Sequence, residues 1–176
     1  MTSNYLNNLF WQTIYAALQP LVLLMLLLLA APTIGASLDG QIFEDWTTRC
    51  DPQDGPPAQC FIFQEVRLRE SGQRVLRVVV SYIPGQNIPT VGVELPLGIF
   101  LPSGARIQVD DSEPLTFQIF TCAPTGCQAG FKLTEERMDK FRAGSKAVIT
   151  FDDRYKQPTP IEISLNGFNE GLDSLQ

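Results

Sequence analysis

The chain has 176 residues, with 13 lysines and arginines against 19 aspartates and glutamates, so its formal net charge at pH 7 is −6. An acidic chain without a basic cluster excludes the usual nucleic-acid-binding surfaces, which need Lys or Arg concentrated on one face. The sequence has no histidine, which excludes Ser-His-Asp and Cys-His nucleophile systems, His-ligated zinc and a histidine pH switch.

The N-terminal segment is uncharged and mostly apolar. Residues 9–31 read LFWQTIYAALQPLVLLMLLLLAA, and the small residues Gly35 and Ala36 permit cleavage after Ala36. The segment also reaches the length of about 20 apolar residues that spans a bilayer. Residues 1–36 are therefore predicted to be either a cleaved signal peptide or an uncleaved signal anchor that contacts the membrane. Residues 37–176 are predicted to form one exported, periplasmic domain.

Four cysteines follow this segment and permit three pairings: Cys50, Cys60, Cys122 and Cys127. Pairing of sequence neighbours, Cys50 with Cys60 and Cys122 with Cys127, closes two short loops that contain proline and glycine. A zinc site and a redox-active pair are the alternatives, but the spacings match neither the repeated C-x2-C of zinc ribbons nor a thioredoxin-like motif. We predict structural disulfides, which persist in oxidising compartments, and no metal or cofactor.

From residue 42 onward, short segments rich in β-branched and aromatic residues alternate with Pro/Gly turns. This pattern favours a sandwich or a strongly curled barrel, and we predict a mainly β, antiparallel sandwich with one or two short helices behind the N-terminal apolar helix. A helix capped by Thr134 is expected to end at Gly144. A second, short helix is expected around Phe168 and Leu172. The predicted strands cover residues 42–50, 59–69, 73–83, 90–98, 105–110, 114–122, 127–133, 146–151 and 161–165.

Two acidic clusters are the candidates for chemistry: residues 110–113, which read DDSE, and the pair Asp152 and Asp153. Calcium takes oxygen ligands, and a glycosidase uses two carboxylates, but neither cluster has EF-hand spacing. Clusters of this kind usually mark solvated turns. We predict no catalytic residues, and an enzyme that uses these carboxylates is the weakest hypothesis.

The stretch ELPLGIFLPSG, residues 94–104, is unusually apolar for a loop. One interpretation is a buried crossover between pairs of strands. The other is an exposed apolar lip that meets a partner or the membrane surface. The candidate partner-binding residues are Leu95, Leu97, Ile99, Phe100 and Leu101.

Several separated motifs share one order and spacing. They are Phe43-x-x-Trp46-x-x-x-Cys50 followed by Cys60, ELPLGIFLPSGARIQVDD over residues 94–111, and Phe120-x-Cys122-x-x-x-Gly126-Cys127. A helix over 133–144, a strand over 147–151 and Ser164-Leu165-x-Gly167-Phe168 complete the pattern, which resembles the invasion-associated locus B (IalB) family over residues 42–175. The resemblance implies a secreted or periplasmic β-sandwich, associated by name with host-cell invasion, without catalytic residues or a cofactor.

These observations predict a non-catalytic, exported envelope protein that acts as a protein-binding or accessory module. The expected partner is another envelope or inner-membrane protein, and a retained anchor would make the chain an accessory subunit of a membrane complex. The alternative is a soluble periplasmic or secreted factor that serves stress resistance, adhesion or invasion. No nucleic-acid partner is expected.

Overall fold

The computed structural model describes residues 37–51 and 59–176. The predicted N-terminal signal or anchor helix lies outside these residues. Within them the chain forms eleven strands, one 3₁₀ turn (Leu101–Ser103) and two α-helices, α1 (Glu135–Ala143) and α2 (Phe168–Asp173). The strands are β1 (Ile42–Phe43), β2 (Trp46–Asp51), β3 (Gln59–Arg67), β4 (Arg74–Tyr82), β5 (Pro89–Leu95), β6 (Ala105–Val109), β7 (Leu115–Phe117), β8 (Ile119–Ala123), β9 (Gly126–Lys132), β10 (Lys146–Asp152) and β11 (Pro158–Ser164).

The strands assemble into two antiparallel sheets. The larger sheet has the order β1-β2-β3-β4-β5-β9-β8, and the smaller has the order β11-β10-β6-β7. Every hydrogen-bonded neighbour pair within them is antiparallel. The predicted mainly β, antiparallel sandwich is confirmed.

Alternation along the strands builds one core between the sheets. In the larger sheet Val78 and Val80 alternate with half-buried neighbours, and in the smaller sheet Ala147 and Ile149 do the same. Successive strand residues point to opposite faces, so each strand sends every second side chain inward. Full burial of a Val or Ile side chain stabilises the folded state by about 1.5–3 kcal/mol. These residues therefore determine which face of each sheet packs against the core.

Trp46 connects the larger sheet to the end of β11 and to α2. Its side chain is fully buried, and its indole Nε1 donates a hydrogen bond to the carbonyl oxygen of Ser164 at 3.1 Å. Its ring lies edge-on to that of Phe168, with centroids 5.4 Å apart. The contact joins the second strand of the larger sheet to the end of the smaller sheet and to the first residue of α2.

Two predicted strands are broken by features that carry no Pro/Gly signal. The prediction over residues 42–50 fails at Glu44, which has a φ of 51° and reverses the chain so that Phe43 pairs with Trp46. The prediction over residues 114–122 fails at Gln118, where the chain leaves the smaller sheet for the larger one. The last strand begins at Pro158, earlier than predicted, because β11 is an edge strand and tolerates residues without an N–H donor.

Both predicted helices are present. Helix α1 starts after Thr134, which occupies the N-cap position but makes no side-chain capping hydrogen bond. Its Phe141 is buried and packs against Phe168, with ring centroids 5.5 Å apart and ring planes tilted by 51°. Phe168 and Leu172 of α2 are fully buried, so this helix closes one side of the core as the sequence predicts.

Both predicted disulfides are present. Cys50 is bonded to Cys60 across β2 and β3, and Cys122 is bonded to Cys127 across β8 and β9. In each case the two cysteines are directly opposite in the strand register. Each disulfide therefore joins two adjacent strands within the larger sheet.

Candidate docking surface at the sheet crossings

The chain passes between the two sheets at neighbouring places. It leaves β5 through residues 96–104 to reach β6, and it returns from β7 to β8 through Gln118. A groove with a volume of about 330 Å³ lies between these two crossings, and we call it the crossover groove. Its lining residues are Leu101, Pro102, Ser103, Gly104, Thr116, Phe117, Gln118 and Ile119.

The first crossing is held firmly against the smaller sheet. The backbone N–H of Phe100 donates to the carbonyl oxygen of Asp152 at 2.8 Å, and Ile99 forms an isolated antiparallel bridge with Asp153. The Lys156 ammonium lies 4.8 Å from the centroid of the Phe100 ring, within cation–π range. These contacts hold the backbone at Ile99 and Phe100, which lie between Leu97 and Leu101.

Gly104 permits the close approach of the two crossings. It has a φ of 65°, and a Cβ placed there would lie 2.5 Å from the carbonyl oxygen of Phe117. Any other residue would be strained at this φ and would collide with the backbone of β7. The glycine therefore sets the width of the crossover groove at its base.

The five predicted partner-binding residues separate into three groups by exposure. Leu95 is only 2% exposed and belongs to the core, so it is not available on this surface. Ile99 and Phe100 are half-buried, whereas Leu97 and Leu101 are 55% and 49% exposed. The buried-crossover interpretation thus applies to Leu95, and the exposed-lip interpretation applies to Leu97 and Leu101.

Phe120, the first residue of the Phe120-x-Cys122 motif, is an exposed apolar residue outside the predicted partner-binding set. It lies on β8 and is 70% exposed. It follows Ile119, which lines the crossover groove. Residues 114–131 contain no charged side chain, whereas a solvated edge strand usually carries some. This absence of charge is a sequence signal for an apolar surface in this segment.

The lining of the crossover groove is uncharged. None of its eight lining residues carries an ionisable side chain. The groove therefore offers no charged side chain to a metal, a phosphate or another ionic ligand.

The acidic clusters organise backbone turns. The carboxylate of Asp110 accepts hydrogen bonds from the backbone N–H groups of Ser145 at 3.0 Å and Lys146 at 3.2 Å. Asp153 accepts from the N–H groups of Tyr155 at 2.8 Å and Gln157 at 2.9 Å. Within residues 37–51 and 59–176, no group of three or more potential ligands is placed to hold a metal ion.

A charged network lies on the outer face of the larger sheet. The Glu65 carboxylate forms ion pairs with the guanidinium groups of Arg67 and Arg74, with N–O distances of 2.6 Å and 3.2 Å. Arg74 also forms an ion pair with Glu94 at 2.9 Å. The Arg77 guanidinium stacks over the ring of Phe63, 4.8 Å from its centroid. Burial alone would raise the pKa of Glu65, but the hydrogen bonds and charges of Arg67 and Arg74 together lower it below its usual value. The network ties β3, β4 and β5 together across the sheet.

A second cavity, of about 240 Å³, lies between the β6–β7 hairpin and α1. Its apolar wall includes Val109 and Phe141, and its mouth carries Glu136 and Lys140. These two side chains form an ion pair at 2.9 Å, and the hydrogen bond from Lys140 lowers the pKa of Glu136. Glu113 and Arg137 also line this cavity, and the Arg137 guanidinium donates a hydrogen bond to the carbonyl oxygen of Lys132 at 2.8 Å.

The described residues contain no helix that is both long and apolar enough to cross a membrane. The fold and surface define a class: a disulfide-bonded antiparallel β-sandwich with an exposed apolar patch where the chain crosses between its sheets. The chain belongs to the invasion associated locus B (IalB) family, whose profile matches residues 46–176. The resemblance seen in the sequence is thereby confirmed.

Relatives and a solved structure agree with this assignment. The chain is 31% identical over 143 residues to a protein named invasion protein B homolog from Brucella abortus (strain 2308), covering 81% of this chain and 82% of the relative. It is 26% identical over 145 residues to invasion protein B of Bartonella bacilliformis, covering 80% and 76%. The crystal structure of invasion associated protein B from Bartonella henselae matches with a TM-score of 0.68 at 22% identity, covering 77% of this chain and 94% of that chain.

Proposed function

We propose that this chain is a non-catalytic, exported envelope protein that acts as a protein-binding accessory module through the apolar surface at its sheet crossings. One observation carries the proposal: Leu97 and Leu101 are about half exposed on a backbone that the smaller sheet holds in place. Exposed apolar side chains beside an uncharged groove mark protein-interaction sites, because their burial against a partner releases water at little conformational cost.

Export is supported by the covalent chemistry of the chain. The two disulfides are stable in an oxidising compartment such as the periplasm and are disfavoured in the cytoplasm. The apolar residues 9–31 act as the export signal. If this segment is not cleaved, it holds the chain at the inner membrane as an accessory subunit.

The engagement of the carboxylates supports a non-catalytic role. The enzyme hypothesis needs Asp110 and Asp153 as acids or bases, but Asp110 accepts backbone hydrogen bonds from the start of β10, and Asp153 accepts them within its own turn. Asp152 pairs with Arg106 at 3.6 Å. Carboxylates used in this way stabilise loop conformations, and of the acidic residues in the 110–113 cluster it is Glu113 that lines the 240 Å³ cavity.

The names of the relatives favour a second candidate function. Two of them are called invasion protein B or its homolog, which supports a soluble periplasmic or secreted factor that contributes to adhesion or invasion. This alternative needs cleavage near Ala36 and a mature protein that starts at Ser37. Intact mass and N-terminal sequence of the native protein separate the two candidates, since the accessory-subunit function predicts that residues 9–31 remain attached.

Purification from native cells in mild detergent tests the proposal. We expect the full chain to co-purify with one stoichiometric partner, and Leu101→Asp to remove that partner. Ile88→Asp is the matched control, because Ile88 is 44% exposed and precedes the opposite end of β5. A wild-type chain recovered alone, or equal recovery of the partner by both variants, contradicts the proposal.

A further inference from the structure

The sheets end in four edge strands within the described part of the chain: β1, β8, β11 and β7. Three of these carry features that discourage pairing with another strand. β1 has two residues, β7 has three, and β11 contains Pro158 and Pro160. The fourth, β8, is five residues long, reads IFTCA, and contains neither a charge nor a proline. The register of β8 against β9 shifts between Ile119 and Thr121, as at a β-bulge, so β8 keeps one protective feature and is the least protected of the four edges.

The backbone of β8 presents hydrogen-bonding groups on this open edge. Cys122 and Cys127 are directly opposite, with their Cα atoms 4.0 Å apart, which is the close spacing of a non-hydrogen-bonded pair. In such a pair the N–H and C=O groups point away from the facing strand. Those of Cys122 therefore point away from β9, toward the side where the described residues place no further strand.

The open edge is continuous with the crossover groove. Ile119, the first residue of β8, also lines the groove together with Phe117 and Leu101. A chain laid along β8 would thus run from Cys122 past Ile119 to the groove. Neither β8 nor the groove carries a charge, so a neutral segment would bury no unpaired ion on either side.

The length of the edge selects the kind of occupant. Five residues at about 3.4 Å each make an edge of about 17 Å. A second folded copy would need to bury about 1,000 Å² in total for a stable dimer, which is more than so short an edge supplies. An extended linear segment needs only the edge hydrogen bonds and one or two side-chain contacts.

We propose that the partner contributes an extended, uncharged polypeptide segment that adds as a strand to β8 and places an apolar side chain in the crossover groove. This inference rests on the proposed function, and it names the form in which the partner binds. Main-chain hydrogen bonds to β8 provide the affinity, and the groove together with the exposed ring of Phe120 selects the side chains.

A library of random 12-residue peptides displayed on phage serves as the probe against the full chain. We expect the selected peptides to be uncharged, with apolar residues at alternate positions. A synthetic peptide from this selection should bind Leu101→Asp at least tenfold more weakly than wild type and bind Ile88→Asp as wild type. It should also slow amide hydrogen exchange across residues 119–123 severalfold.

Three outcomes overturn the inference. Binding that depends on Leu101 without any slowing of exchange at residues 119–123 means that the groove binds side chains while the edge stays unpaired, and the proposed function then stands. Slow exchange at these residues that grows with protein concentration in the absence of peptide assigns the edge to a second copy. A selection that yields no binding peptide contradicts the inference but leaves the proposed function standing, because the detergent purification tests the native partner separately.

Discussion

At the scale of single residues, the sharpest contrast lies between Leu95 and Leu97. The two leucines are separated by one proline, yet Leu95 is 2% exposed and Leu97 is 55% exposed. The difference follows from position: Leu95 is the last inward residue of β5, whereas Leu97 lies beyond the strand. A hydrophobicity pattern cannot make this distinction, because both residues belong to the same apolar run.

Truncation of the two leucines should have opposite consequences. Leu95→Ala should lower the free energy of unfolding by about 2–5 kcal/mol, because it leaves a cavity in the core. Leu97→Ala should change it by less than about 0.5 kcal/mol, because an exposed side chain loses little on removal. Urea denaturation of the two variants checks this, and a cost above 2 kcal/mol for Leu97→Ala would place that residue in the core.

Glu65 links stability to pH. Its pKa is lowered in the folded protein, so the native state favours the ionised carboxylate more than the unfolded chain does. The stabilisation is present above the unfolded-state pKa and is lost as the pH falls through the folded-state pKa. Acidification should therefore weaken the wild-type protein in this range.

The variant Glu65→Gln should flatten that acid dependence. We expect its melting temperature to fall less than that of wild type between neutral pH and the acid range below the usual carboxylate pKa. Glu70→Gln is the control, since Glu70 is exposed on the β3–β4 turn. Parallel melting curves against pH for wild type and Glu65→Gln would show that the arginine network does not favour ionised Glu65.

At the scale of elements, the two disulfides close short loops. Cys50 and Cys60 are 10 residues apart, and Cys122 and Cys127 are 5 apart. Loop-closure entropy in the unfolded chain grows with the length of the loop. The longer loop should therefore gain more from its cross-link.

Replacing each cysteine pair with alanine tests this order. We expect a loss of about 3 kcal/mol for the Cys50–Cys60 pair and about 2 kcal/mol for the Cys122–Cys127 pair, measured by urea denaturation. Neither change should unfold the protein, because Cys127 is the only one of the four cysteines in the core and the other core side chains remain in place. If removal of the Cys122–Cys127 disulfide lowers the free energy of unfolding more than removal of the Cys50–Cys60 disulfide, native packing around Cys127 outweighs loop-closure entropy.

Sequence patterns predicted the elements where local chemistry decides them. The neighbour pairing of the cysteines and the helix that ends at Gly144 both follow from short-range signals. The strand breaks at Glu44 and Gln118 do not follow from short-range signals, because each depends on which strand or sheet the next residues pair with. The uncharged run over residues 114–131 hinted at an apolar surface, but the exposure of Phe120 was missed, because an edge is defined only when the strand order is known.

At the scale of the whole molecule, the sandwich brings its two sheet crossings together at one uncharged groove. The segments 101–104 and 116–119 that line it are separated in sequence by β6 and the β6–β7 turn. The sequence predicted that the first of them could meet a partner. It could not predict the second, because their proximity depends on the antiparallel pairing of β6 with β7.

Site-specific photo-cross-linking in the native envelope tests the central claim most directly. A photoreactive phenylalanine derivative placed at position 97 or 101 of the full chain should yield a cross-link to one polypeptide partner, and the same group at position 88 should not. Identification of the same partner from both positions, by mass spectrometry, would support docking at the sheet crossings. Absence of a cross-link at 97 and 101, or equal cross-linking from position 88, would contradict it.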